Sequence, residues 1–133
     1  MVEENKMQAC KITLTTSVDG KETQIVRKGN AFLSLSRSLV RYVEDSAEFS
    51  LIFEKDSVKI ERRGDYVLSL LLKEGEISEG TLGFDGAVGG MYVHAHKVTY
   101  SVGKDSLLAS LHYDLIFGEE RQEMKLRLYV KTA

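Results

Sequence analysis

The chain has 133 residues, enough for one domain with one core, and it is treated as a single domain over residues 1–133. Hydrophobic residues make up 43% and charged residues 29%, the balance of a folded globular protein, which excludes a disordered chain. The net charge is −2, with Lys and Arg scattered along the chain, so nothing points to nucleic acid or to an anionic membrane surface.

Cys10 is the single cysteine, so no internal disulfide forms, and a lone thiol on a strand-like segment reads as a small core hydrophobe. The acidic start "MVEENKMQAC" has no apolar stretch of the kind a secretory leader uses. No apolar run approaches the ~20 residues of a membrane helix. Together these make a reducing, cytoplasmic setting the expectation.

In chain order, the pattern is that of strands. The chain contains no proline, which would remove a ladder hydrogen bond from any central strand. "VDGKE" at 18–22 and "KGN" at 28–30 read as the first turns. "NAFLSLSRSLVRY" allows a short helix through Phe32, Leu35 and Leu39, but its serine-rich alternation favours two strands or one bent strand. In "AEFSLIFEK", Phe49, Leu51 and Phe53 share a face; in "DSVKIERRG", Val58 and Ile60 oppose Lys59 and Glu61. "DYVLSLLLKEG" lines up Leu68, Leu70 and Leu72 with Tyr66. "GTLGFDGAVGG", residues 80–90, carries five glycines in eleven positions. It predicts a mobile loop or a strongly bent strand pair, and no Gly-Lys-Ser/Thr follows to make it a phosphate loop. "SLLASLHYDLIFG" sets Leu107, Ala109, Leu111, Tyr113, Leu115 and Phe117 against Leu108, Ser110, His112, Asp114 and Ile116. "QEMKLRLYVK" ends the series with Met124, Leu126, Leu128 and Val130 opposed to charged neighbours.

Short gaps rich in Gly and Asp join these runs, as hairpins require. Consecutive hairpins leave two open edges unless the sheet closes. The expected fold is therefore all-β: a single closed or nearly closed antiparallel up-and-down barrel of about 8–10 strands. Its predicted interior comprises Phe49, Leu51, Phe53, Val58, Ile60, Leu68, Leu70, Leu111, Leu115, Phe117, Leu126 and Leu128.

The segments "RYVED" (41–45), "VKIERRGDY" (58–66), the Gly-rich stretch, "HAHKVTYSV" (94–102) and "LHYDLIF" (111–117) occur in that order. In this the chain resembles the YwiB-like domain-of-unknown-function family of Gram-positive bacteria, a calycin-like β-barrel. The family's Tyr-x-Glu is matched by Tyr42 and Glu44, its Arg-x-Gly by Arg62 and Gly64, and its Tyr-x-Leu by Tyr113 and Leu115. The resemblance spans roughly residues 8–130 and implies a lipocalin-like closed barrel with a cavity. Where the family has a threonine-rich strand after the loop, this chain has "VHAHK", so the resemblance lends the histidines no role.

Candidate site residues come from the same alternation. With Lys104-Asp105 as a two-residue turn, Val102 faces Leu107, Tyr100 faces Ala109, Val98 faces Leu111, His96 faces Tyr113 and His94 faces Leu115. That register turns His94 and His96 inward. Buried imidazoles need partners, and Arg62, Tyr42, Glu44, Tyr113, His94 and His96 form the candidate ligand-binding set. Two histidines do not make a zinc site, and His112 falls on the opposite face, so neither a metal nor another cofactor is expected. No Ser-His-Asp arrangement is present, and Asp114 and Glu119 fall on the wrong face or in a turn, so no enzymatic constellation emerges. The expected function is binding of a small, anionic or amphipathic ligand inside the barrel or at its mouth. The alternative is a filled barrel acting through homodimerisation or a protein partner.

Overall fold

The computed structural model describes residues 7–84 and 86–133. The acidic start at 1–6, read above as lacking a leader, and Asp85 in the Gly-rich stretch lie outside the described residues. Ten strands follow one another: β1 (Gln8–Val18), β2 (Lys21–Phe32), β3 (Arg37–Glu44), β4 (Ala47–Glu54), β5 (Ser57–Arg63), β6 (Tyr66–Leu72), β7 (Ile77–Phe84), β8 (Ala87–Val102), β9 (Ser106–Phe117) and β10 (Glu120–Thr132). Each pairs antiparallel with the next, and β1 pairs with β10, so the sheet is a closed up-and-down barrel without an open edge. There is no helix among the described residues, and none long and apolar enough to cross a membrane.

The turns follow from their chemistry. Asp19 and Gly20 both take positive φ, 50° and 87°, the backbone that a two-residue hairpin with the sheet's own twist demands. The "KGN" stretch is not a turn: β2 runs straight through it, with Gly29 paired to both Cys10 and Tyr42. The Gly-rich stretch belongs to the β7–β8 hairpin: Gly80, Gly83, Gly89 and Gly90 sit in the ladder, and Gly86, with φ of 80°, lies between the strands. "NAFLSLSRSLVRY" is two strands, β2 and β3, joined by 33–36.

Alternation puts one face of every strand inside. At the barrel end near the β2–β3, β4–β5 and β8–β9 turns, Ile12, Val40, Phe53, Val58, Leu72, Leu107 and Val130 are fully buried in the interior. Tyr100 helps close this end by donating its hydroxyl to the Glu54 carbonyl at 2.7 Å. Of the predicted interior residues, Phe117 alone is misplaced: it is 38% exposed at the end of β9, on the last rung against Glu120. Cys10 is buried, and burial pushes its thiol above the ordinary range, which leaves it protonated and inert.

Candidate functional site

The opposite half of the barrel is hollow. A cavity of about 380 Å³ lies among the inward side chains at the end bounded by the β1–β2, β3–β4, β5–β6 and β9–β10 turns. Its wall is mainly apolar, from Leu14, Ile25, Phe49, Leu51, Leu68 and Leu126, with polar groups added by Tyr42, Glu44, Arg62 and Tyr113. Phe49, Leu68 and Leu126 are only half-buried because they border this space.

One rung of the sheet builds the polar end. Tyr42, Phe49, Arg62, Leu68 and Leu82 are successive partners across β3 to β7, so all five face inward together. Tyr42 and Phe49 stack in parallel, centroids 5.0 Å apart. The Arg62 guanidinium lies 3.7 Å over the Tyr66 ring and 5.8 Å from the Phe49 ring. It donates to the Tyr66 carbonyl at 2.8 Å and to Asp65 Oδ1 at 2.9 Å, and this bond holds the exposed Asp65 carboxyl below its usual range. Two of its five N–H donors make these bonds, and others remain for a guest. Glu44, whose direction the sequence left open, also borders the cavity, with Arg27 Nη2 at 3.3 Å from its carboxylate.

Tyr113 is buried at the cavity wall, and burial pushes its hydroxyl up to about 12. Burial raises Tyr42 further still, with Glu44 and Tyr113 adding to the effect and Arg27 opposing it. Both phenols therefore stay neutral donors at any physiological pH. Of the six candidate residues, the barrel brings Arg62, Tyr42, Glu44 and Tyr113 together.

His94 and His96 are elsewhere, and the expected register is wrong for them. The ladder begins as expected, with Val102 opposite Leu107, Tyr100 opposite Ala109 and Val98 opposite Leu111. Lys97 still pairs with His112 in that register; a bulge at His96 then inserts one extra residue, so Ala95 pairs with Tyr113 and Val93 with Leu115. Beyond the bulge, Ala95, Val93 and Met91 are buried, while His94 turns outward. The reason is the cost of unpaired polarity: the bulge sends two imidazoles to solvent and buries three small or apolar side chains instead.

His112 lies on the outer face as expected, and the bulge brings His94 and His96 round to join it. All three histidines of the chain now share one outer face, with ring centroids 4.3 Å apart for His94–His96 and 4.9 Å for His96–His112. Asp114, which the sequence reading discarded, lies among them and is only 7% exposed. Its Oδ2 accepts from His96 Nε2 at 2.9 Å and from Arg121 Nη1 at 3.2 Å. Burial pushes the Asp114 carboxyl up, but the His96 bond and the nearby His96, Arg121 and His112 charges outweigh it and hold the carboxyl below its usual range. His112 Nε2 meets Glu123 Oε2 at 2.9 Å. Sequence reasoning missed Asp114, and Arg121 with it, because His96 was placed one residue out of step; His112 and Glu123 stood on the outer face by alternation alone, but no partner for either was identified.

No family model matches the chain, and no curated protein matches it. Among solved structures, the barrel is similar to the crystal structure of the ywiB protein from Bacillus subtilis, with a TM-score of 0.81 at 10% identity, over 96% of this chain and 93% of that one. At that identity the likeness concerns the fold, and the fold of this chain is YwiB-like.

Proposed function

We propose that the protein is a calycin-like binding module that takes one small amphipathic ligand into the hollow half of its barrel. The observation that carries this reading is the cavity itself: about 380 Å³, within the ~300–1,000 Å³ range of small-molecule sites, and walled by apolar side chains with a few convergent polar groups. The polar groups set the ligand's chemistry. The hydroxyls of Tyr42 and Tyr113 and the spare N–H groups of Arg62 are donors, so the bound head group is an acceptor such as a carboxylate or sulfonate. Glu44, the acceptor at this end, is engaged by Arg27. The alternative of a filled barrel working through a homodimer or a protein partner is disfavoured by the same hollow. The outward histidines take no part in this site.

The test uses 1-anilinonaphthalene-8-sulfonate as the fluorescent probe and decanoate as competitor. Saturable one-to-one binding that decanoate displaces is expected. Leu126→Trp, which fills the cavity, abolishes it, and Tyr113→Phe, which deletes one donor, weakens it by up to about tenfold. Absence of saturable binding, or equal binding by the Leu126→Trp protein with an unchanged circular dichroism spectrum, would overturn the reading.

A further inference from the structure

We propose that the outer face of β8 and β9 carries a site for a late first-row divalent cation of the zinc class, with His94, His96 and Asp114 as its protein ligands. The site is separate from the cavity, on the other side of the barrel wall. It rests on donor type, spacing and support.

The donors are two imidazoles and one carboxylate. That set suits Zn²⁺, Ni²⁺ or Cu²⁺, whereas Mg²⁺ and Ca²⁺ call for oxygen donors throughout. One donor atom from each of the three side chains lies within 4.8 Å of the other two. Tetrahedral zinc with ~2.0–2.1 Å bonds wants its ligand atoms about 3.4 Å apart. The His96–Asp114 pair stands at 2.9 Å already. Closing the remaining distance takes rotation of His94 and His96, which are half-buried and exposed and so free to turn.

The two imidazoles sit at the bulge and just beyond it on one outer face, with ring centroids 4.3 Å apart. Bulges commonly re-aim a side chain beside a site. Asp114 is fixed by burial in the middle of β9, where it is paired with His94 on one side and Glu123 on the other. A ligand set on barrel strands is held more firmly than one on loops. Three protein ligands leave a fourth position for water.

Two neighbours bear on affinity. His112, Asp114 and Glu123 form a second group within the same spacing, and it shares Asp114, so the two groups compete for a single ion. The first is preferred because it offers two imidazoles and one carboxylate, the donor set that suits the zinc class, whereas the second offers one imidazole and two carboxylates. Arg121 is the competitor for the cation's place. Its guanidinium lies at 3.2 Å from Asp114, and its side chain is 56% exposed, so it can swing into solvent when an ion binds.

The test is calorimetric titration of the untagged 133-residue chain with zinc, alongside magnesium. One zinc per chain is expected, with no magnesium uptake, and zinc raises the urea midpoint as its concentration increases. His94→Gln and His96→Gln each weaken zinc binding by at least about tenfold, Glu123→Gln leaves it unchanged, and Arg121→Gln tightens it. Circular dichroism verifies that these surface variants fold. The proposal is overturned if the parent chain shows no saturable zinc uptake at millimolar zinc, if magnesium binds equally well, or if Glu123→Gln weakens binding while His94→Gln does not.

Discussion

Replacing Gly29 with alanine tests the register of the first three strands. Gly29 faces inward from the middle of β2, between Cys10 of β1 and Tyr42 of β3. A Cβ built there overlaps the Arg41 carbonyl oxygen and comes within 2.8 Å of Ile12 Cδ1 and 3.1 Å of Tyr42 Cβ. None of these can withdraw easily. The carbonyl belongs to the ladder, and Ile12 and Tyr42 are buried. Overpacking of this kind costs about 1–3 kcal/mol, and in a domain of this size 1 kcal/mol corresponds to about 4 °C in Tm. A loss of about 2 kcal/mol, or about 8 °C, is expected. Gly90→Ala is the control: its new Cβ meets nothing within 4 Å. There, restricting the unfolded chain leaves stability level or raises it by up to about 1 kcal/mol. Urea unfolding with a shared m-value separates the two. If both variants share a midpoint, the close approach of β2 to β3 described here is wrong.

Two further outcomes follow from the same geometry. Leu111 is 1% exposed, so Leu111→Ala costs about 2–5 kcal/mol, whereas Lys125→Ala on the outer face changes stability by less than about 0.5 kcal/mol; matching denaturation midpoints would show that the strand faces are misassigned. Asp114 has a folded-state carboxyl held below its unfolded value, so its contribution is complete above about pH 5 and is lost as pH falls through the unfolded value near 3.9 and on through the folded one. Asp114→Asn therefore flattens the acid limb of the stability profile, and parallel acid limbs in parent and variant would remove Asp114 from the account.

Much of the barrel is legible in the sequence. Period-two alternation in β4, β5, β6, β9 and β10 follows directly from the geometry of a half-buried strand, and Asp19-Gly20 carries its turn in its own chemistry. Closure follows from the need to pair edges. The inward course of Arg62 is readable too, because Val58 and Ile60 set the parity of β5 four and two residues earlier. The position of the histidines is not readable. Parity propagates along a strand only while the ladder stays regular, and one inserted residue at His96 reverses it for all of β8 that precedes the bulge. Local pattern does not reveal that insertion, since "MYVHAHKVTY" alternates acceptably in either phase. Tertiary packing decides between the phases: with Val93 and Ala95 inside, apolar atoms meet Leu115 and Tyr113 across the ladder, and the imidazoles reach water, Asp114 and one another.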